Sequence, residues 1–245
     1  MSTYVMLPTY NEAENIGPLI AALLALDLPE LNVLVVDDDS PDGTGVLAQE
    51  MSQRDPRVHA LLRRKRRGRG FAGADGFKWC LEAGAERILE MDADFSHHPR
   101  HIPEMIRALD NADVVLGSRF APGGADVDRS PVRKVITKLA GLYVRRLLDL
   151  NHIRDVSSGF RLFRRQVIAD MDPENLFSAG PPIVTEVLYK AACLGYRIVE
   201  SPIQFEDRRK GQTKLDYVTL LESLVMVLRL RQMRRSGRLP ARPAR

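Results

Sequence analysis

The sequence predicts an α/β fold, a mostly parallel sheet with helices on both faces. Two observations carry that expectation. Short apolar runs alternate with helical patterns through the first half of the chain, the rhythm of strands joined by crossover helices. The runs at Tyr4–Leu7, Asn32–Val36 and Arg87–Met91 are each followed by a polar cluster, and in such sheets ligands bind at the carboxyl ends of the strands. A chain of 245 residues is long enough for one large domain of this kind.

Taken in order, Tyr4–Leu7 reads as a strand and Asn15–Leu26 as a helix. Asn32–Val36 is rich in β-branched residues and forms the second strand, followed by a helix around Gly43–Ser52. Val58–Leu62 is the third strand, Phe71–Ala83 a helix, Arg87–Met91 the fourth strand and Val114–Gly117 the fifth. A basic helix over Val132–Leu150, a strand over Gly159–Phe163, a helix near Ile183–Leu194 and a strand over Tyr196–Ile203 come next. An amphipathic helical segment, Tyr217–Leu230, closes the pattern. No internal repeat or linker interrupts it. One domain over 1–230 is therefore expected, with a basic, disordered tail over 231–245.

Bulk properties narrow the function. A net charge of +4 is too small to point to nucleic acid. Its distribution says more: Arg63, Arg64, Lys65, Arg66 and Arg67 form one run, and Arg229, Arg231, Arg234, Arg235, Arg238, Arg242 and Arg245 crowd the C-terminal end. Such runs are usually solvated. Cys80 and Cys193 lie in separate helical segments, which suits a reducing compartment and no disulfide framework. No secretory leader precedes the first strand, and no apolar run approaches the ~20 residues a spanning helix needs. Any membrane contact would be peripheral or through a partner.

Asp92-Ala93-Asp94 follows an apolar strand. Two carboxylates at i and i+2 on irregular backbone can face one hard cation, and Mg²⁺ or Mn²⁺ prefers such oxygen ligands while keeping positions for phosphate oxygens. An isolated pair of this kind is more often a solvated turn; the polar clusters at the other strand exits favour the metal. His97 and His98 do not suggest zinc, because adjacent histidines seldom chelate one ion; His98-Pro99 instead opens a helix. Asp37-Asp38-Asp39 at a strand end requires solvent, a ligand or a metal, and Ser40-Pro41-Asp42-Gly43 has the turn chemistry to cap the helix that follows.

Pro8-Thr9-Tyr10-Asn11-Glu12, Asp37 to Thr44 (DDDSPDGT) and Met91 to Pro99 (MDADFSHHP) resemble the dolichol-phosphate mannose synthases, also called polyprenol-monophosphomannose synthases, among the inverting GT-A glycosyltransferases of family 2. The resemblance continues through Gly117-Ser118-Arg119, Ser158 to Phe163 (SGFRLF) and Phe205 to Leu215 (FEDRRKGQTKL), and so covers roughly residues 4–230. It implies a GT-A (Rossmann-like) fold with a donor part over about residues 1–120 and an acceptor part over about 121–230. It implies that Pro8, Tyr10, Glu12, Val36 and Asp38 hold the nucleotide of a nucleotide-sugar donor, GDP-mannose. Asp92, Ala93 and Asp94 would meet the donor, and Asp92, Asp94 and Ser96 an Mg²⁺ or Mn²⁺ ion. Arg119 would contact the donor diphosphate or the acceptor phosphate, and Arg208, Thr213 and Lys214 would grip a polyprenyl phosphate. Asp94, Arg119, Arg208 and Lys214 would carry catalysis. The implied setting is the cytoplasmic face of a membrane, reached directly or through an integral anchor subunit.

Acid–base logic agrees with a phosphate acceptor. A phosphate monoester has a second pKa near ~6 and needs no strong base at neutral pH, but it needs cations to approach a second anion. Relatives that glycosylate hydroxyls usually place an Asp after a Glu on the acceptor side; this chain has Thr185-Glu186-Val187. A hydroxyl-accepting enzyme with a donor such as UDP-glucose, and a non-catalytic nucleotide-sugar-binding subunit, remain the alternatives. Two stretches depart from the family pattern: Gly68-Arg69-Gly70 where relatives commonly carry Gly-Leu-Gly, and Gly180-Pro181-Pro182-Ile183 where aromatic residues are usual. Val135, Leu139, Leu142 and Leu147 fall near one face of the basic helix, which suits an interfacial helix and core packing equally.

Arg208→Ala and Lys214→Ala are expected to raise the KM for a lipid phosphate or lower kcat while leaving nucleotide-sugar affinity nearly unchanged. Each charge-assisted bond is worth about 1.5–3 kcal/mol. A lipid titration with product extraction, set beside calorimetry of the donor alone, reads the two effects separately; wild-type kinetics in both variants would move a hydroxyl acceptor to the front.

Overall fold

The computed structural model describes residues 1–127, 130–206 and 217–239. Its first half is β1 (Thr3–Thr9), α1 (Ala13–Leu24), β2 (Leu31–Asp37), α2 (Thr44–Arg54), β3 (Val58–Leu62), α3 (Arg69–Glu82), β4 (Arg87–Glu90), α4 (Ile102–Leu109) and β5 (Val114–Ser118). The second half is β6 (Ala125–Asp126), α5 (Pro131–Leu147), β7 (Arg161–Arg164), α6 (Arg165–Met171), α7 (Ile183–Cys193), β8 (Ile198–Pro202), β9 (Gln204–Phe205) and α8 (Tyr217–Arg235).

The seven-stranded sheet has the order β3-β2-β1-β4-β7-β5-β8. Only β7 runs antiparallel to its neighbours β4 and β5; the remaining pairs are parallel. Strand alternation divides the apolar side chains between two cores. Val5 and Leu7 of β1, Val33 and Val35 of β2, Leu89 of β4 and Val115 of β5 pack with α1 and α4. Met6, Leu34, Val36, Ile88, Val114 and Leu116 pack on the other face with Phe77 of α3, Val187 and Leu188 of α7 and Val227 and Leu230 of α8. This period of two is what a sheet covered on both sides requires.

β1 lies between β2 and β4, so chain order reverses beside it and a crevice opens at the carboxyl edge. The antiparallel β7 adds to that edge. Arg161 faces Glu90 on one side and Leu116 on the other, so the segment leading into β7 arrives where β4 and β5 leave. The completely buried Arg161 ties this corner together. Its Nε donates to the Ser158 carbonyl at 2.6 Å, Nη2 to that of Val156 at 3.2 Å and Nη1 to that of Val184. Burial lowers its pKa to about 10, against the opposing pull of Glu90 and Asp155, so the group stays charged at neutral pH.

The expected strands are all present, Val58–Leu62 with its expected ends and the others with shifted ends. His98 caps a short 3-10 turn, Pro99–His101, by accepting from the Arg100 amide at 3.2 Å, and α4 follows as its opening predicts. Two differences stand out. The C-terminal helix does not stop at 230: α8 continues to Arg235, and Leu239 packs into the core. The arginine run at 63–67 is not a solvated stretch throughout, because Arg63 is buried.

Glu186 on α7 is fully buried. It accepts from the amides of Phe177 at 3.1 Å and Ser178 at 2.9 Å, from Ser178 Oγ at 2.5 Å and from Lys190 Nζ at 2.9 Å. The loop it holds seats the start of α3: the Gly70 amide donates to the Ala179 carbonyl at 2.8 Å. A Cβ at Gly70 would stand 1.9 Å from the Ser178 carbonyl oxygen, so only glycine fits there. Glu186→Ala, which strands Lys190 and the loop amides, is expected to cost ~3–5 kcal/mol of stability. A lowered urea midpoint checks this; an unchanged midpoint would remove Glu186 from its structural role.

Candidate active site

At the β2 exit each aspartate has a different partner. Asp37 accepts from the Ser40 amide at 3.0 Å, from Ser40 Oγ at 2.5 Å and from Thr9 Oγ1 at 3.1 Å, which fixes the turn. Buried Asp38 takes the Gly68 amide at 2.7 Å and the Arg63 guanidinium. Arg63 is also bound to Asp75 at 2.6 Å and to the Arg66 carbonyl at 3.0 Å. Exposed Asp39 pairs with Arg67. Asp42 precedes the N-cap Gly43 of α2 and accepts from the Thr44 amide at 3.0 Å and from Thr44 Oγ1 at 2.6 Å. Pro8 and Val36 are buried beneath this edge, whereas Tyr10 is 53% exposed above it. Glu12 opens α1, its amide donating to Thr44 Oγ1 at 2.9 Å and its carboxylate accepting from Asn15 at 2.8 Å.

At the β4 exit the chain turns sharply. Phe95 sits at φ 63°, an uncommon conformation for a bulky residue. The turn folds Ser96 back onto Asp94, whose Oδ1 accepts the Ser96 amide at 3.0 Å and Oγ at 2.5 Å. Ser96 thus fixes the orientation of the Asp94 carboxylate. Ala93 and Asp94 are buried, while the Asp92 side chain is 40% exposed at the cleft. His97 lies under the turn, stacked on Phe160 with centroids 5.1 Å apart, and its Nδ1 accepts the Asp92 amide at 3.3 Å. Burial pushes the His97 pKa down against the pull of Asp92 and Asp94; the neutral ring is the form that can accept that bond.

Guanidinium groups face these carboxylates. Arg69, the first residue of α3, donates from Nη1 to buried Glu90 at 2.8 Å, and its Nη2 lies 3.6 Å from Asp92 Oδ1. Burial alone would lower its pKa; Glu90 and Asp92 more than offset that and raise it. Arg119, at the β5 exit, grips Asp155 in a bidentate pair, Nε and Nη2 each at 2.7 Å, and Nη2 also reaches Ser157 Oγ at 2.7 Å. Burial opposes both charges, yet the pairing holds the Arg119 pKa above and the Asp155 pKa below its ordinary value.

Arg69, Asp92 and Arg119 are the charged residues lining a cleft of about 600 Å³. Ile136, Ala140 and Val144 of α5, with Val156, Pro182 and Val184, supply an apolar wall. Among the described residues no group of three or more His, Cys, Asp or Glu side chains gathers as a metal cage. Two carboxylates are the donor chemistry of a hard cation that completes its shell with phosphate oxygens and water. Arg208, Thr213 and Lys214 lie outside the described residues. Asp155, Glu90 and Ser157 escaped the sequence reading. In the sequence Arg69 stands only as a departure from a glycine-rich pattern.

The profile of Glycosyl transferase family 2 matches residues 4–171. Among curated proteins the chain is 41% identical over 229 residues to an undecaprenyl-phosphate mannosyltransferase of Micrococcus luteus, covering 94% of this chain and 93% of that one. It is 39% identical to a polyprenol monophosphomannose synthase of Mycolicibacterium smegmatis, with 92% and 85% covered. To a dolichol-phosphate mannosyltransferase of Pyrococcus furiosus it is 37% identical, with 94% and 64% covered. Among solved structures, glucosyl-3-phosphoglycerate synthase from Mycobacterium tuberculosis, in complex with Mn²⁺, UDP and glucosyl-3-phosphoglycerate, shares the fold at a TM-score of 0.68 and 16% identity, with 99% of this chain and 81% of that one covered.

Asp155→Asn is expected to destabilise the protein by ~3–5 kcal/mol at pH 7, since it leaves the buried Arg119 charge unmatched. With the folded pKa depressed below the unfolded value near ~3.9, the stabilisation is present above that pH and is lost as pH falls through the folded pKa. The gap between wild type and variant in denaturant midpoints should therefore close below about pH 4; a constant gap would mean that the charge pair is not its source.

Proposed function

The chain belongs to glycosyl transferase family 2, and from that premise we propose that it transfers mannose from GDP-mannose to a polyprenyl phosphate at the cytoplasmic face of a membrane. The observation that carries this reading is the mixed lining of the cleft: Arg69, Asp92 and Arg119 suit phosphate groups, and the apolar side chains of α5 and its neighbours suit an isoprenoid chain. The names of the three curated relatives, each a polyprenyl- or dolichyl-type phosphate mannosyltransferase or synthase, support the same acceptor and sugar.

In this reaction a lipid phosphate oxygen attacks the anomeric carbon as the bond to the nucleoside diphosphate breaks. The bonding pair leaves with the diphosphate, and the configuration inverts. The attacking phosphate is largely a dianion near neutral pH, so no side chain has to remove a proton. Asp92 and Asp94 would hold Mg²⁺ or Mn²⁺, which supplies positive charge to the leaving diphosphate. Ser96 keeps Asp94 in orientation. Arg119, itself fixed by Asp155 and Ser157, presents a positioned cation where two anions meet. Pro8, Tyr10, Glu12, Val36 and Asp38 would frame the nucleoside, and Arg208, Thr213 and Lys214 would hold the acceptor phosphate. Glu186 is committed to structural bonds, which speaks against its serving as the base of a hydroxyl-accepting enzyme.

The surface supports a membrane setting. Among the described residues no helix is long and apolar enough to cross a bilayer. Val132, Val135, Leu139 and Leu142 of α5 and Leu221, Val225 and Leu228 of α8 are exposed stripes, and the two helices pack on each other. Arg133, Lys134, Lys138, Arg229 and Arg231 accompany them. Apolar insertion with basic flanks is the pattern of a helix pair lying in an anionic interface.

Purified protein given radiolabelled GDP-mannose and a polyprenyl phosphate should move label into the organic phase, and excess EDTA or Asp94→Ala should abolish it without loss of circular dichroism. Label transfer that survives EDTA would remove the metal, and transfer only from a UDP-sugar would remove the donor. Leu139→Glu with Leu228→Glu should leave donor binding intact and release the protein from anionic liposomes; undiminished pelleting would sink the helix-pair surface.

A further inference from the structure

Arg69 is the one charged side chain of the cleft whose place the sequence pattern does not account for. It stands on the first turn of α3, between two glycines that each have a steric reason. Gly68 adopts φ 139°, where a Cβ would lie 2.4 Å from the Ala179 carbonyl oxygen, and Gly70 has no room for a Cβ. The backbone is therefore pinned, and the side chain runs from it to the floor of the cleft. One arm is committed, Nη1 to Glu90 at 2.8 Å. The other is not: among the described residues Nη2 is buried and has no hydrogen-bond partner. Its distance of 3.6 Å to Asp92 Oδ1 is an ion pair but too long for a hydrogen bond. A buried guanidinium nitrogen without an acceptor is costly unless something else supplies one, and it lies in the wall of the cleft beside Asp92 and Arg119.

We infer that Arg69 is a donor-binding residue that couples nucleotide to metal: Nη2 takes an oxygen of the donor diphosphate, and its charge opposes a cation on Asp92 until that diphosphate is present. The inference rests on the nucleotide-sugar reading above. Two effects of opposite sign follow from one side chain. A fixed positive charge beside Asp92 weakens binding of a divalent cation on its own. The same charge strengthens binding of a diphosphate on its own. Together they favour the cation–nucleotide pair over a bare cation, which is not held tightly in the cleft until the diphosphate is present.

The test uses Arg69→Leu combined with Glu90→Leu, so that no buried carboxylate is left unmatched, and Arg69→Lys as a second variant. In the double variant, Mn²⁺ without nucleotide, followed by the free-ion paramagnetic resonance signal, should bind roughly threefold or more tightly. GDP and UDP titrated in EDTA by calorimetry should bind roughly 10–100-fold more weakly. Arg69→Lys keeps the charge and loses the fork, so its Mn²⁺ affinity should stay near wild type while nucleoside diphosphate affinity falls. A short-chain prenyl phosphate in a parallel titration should be affected far less than GDP. Weaker binding of both Mn²⁺ and nucleotide in the double variant would indicate a merely structural role and overturn the inference. Undiminished nucleotide affinity in Arg69→Lys would remove the phosphate contact, and a loss confined to the prenyl phosphate would reassign it to the acceptor and overturn the donor role. A wild-type protein that bound neither nucleoside diphosphate would overturn the proposed function as well, whereas an unchanged variant beside a functional wild type overturns only the role of Arg69.

Discussion

Three backbone carbonyls, those of Val156, Ser158 and Val184, converge on the Arg161 guanidinium, and the cleft depends on that convergence. Val156, Gly159, Val184 and Thr185 all line the cleft, so one buried cation ties together two segments of its lining. A guanidinium with no exposure is costly in isolation. Here its donors meet carbonyls that the irregular chain around β7 would otherwise leave without partners, and the nearby carboxylates of Glu90 and Asp155 favour its charge. The antiparallel strand β7 is thereby held between β4 and β5, and the loop that precedes it stays at the reactive edge.

Around this corner the acids and guanidinium groups alternate. Glu90 and Asp92 flank Arg69, Asp155 grips Arg119, and Asp38 grips Arg63. Replacing such pairs with apolar residues is often neutral for stability, so their value lies in placement. The proposed reaction would bring a metal, a diphosphate and a phosphate together, which needs fixed charges of both signs. Side chains locked to one another have little reorganisation left to undergo when charge moves.

The apolar features follow a second logic. α5 turns Ile136, Ala140 and Val144 into the cleft and leaves Val132, Val135, Leu139 and Leu142 on the surface. One helix therefore contributes both to the wall of a binding site and to an exposed stripe. An acceptor with a charged head and a long apolar tail requires such continuity, because the tail must stay out of water along its whole path.

The sequence by itself determined the strand-and-helix alternation, the polar clusters at the exits of β1, β2 and β4, and the carboxylate pair Asp92 and Asp94. These are local signals: an apolar run and the residues that end it are neighbours in the chain, so backbone propensity and periodicity reveal them. A phosphate contact for Arg119 is implied only by the family resemblance of Gly117-Ser118-Arg119. Only the tertiary structure decided what those groups touch. Asp155 is 36 residues from Arg119 and Asp38 is 25 from Arg63, and no local pattern pairs them. The direction of β7 depends on which strands flank it, and α6, with seven residues, is too short for a helical period to register. Arg63 looked like part of a solvated run because composition counts charges and is blind to burial. Arg69 looked like an intrusion into a glycine-rich turn. Its meaning came from Glu90 and Asp92 across the cleft, since an ion pair is a property of distance in space and the chain encodes that distance only through the complete fold.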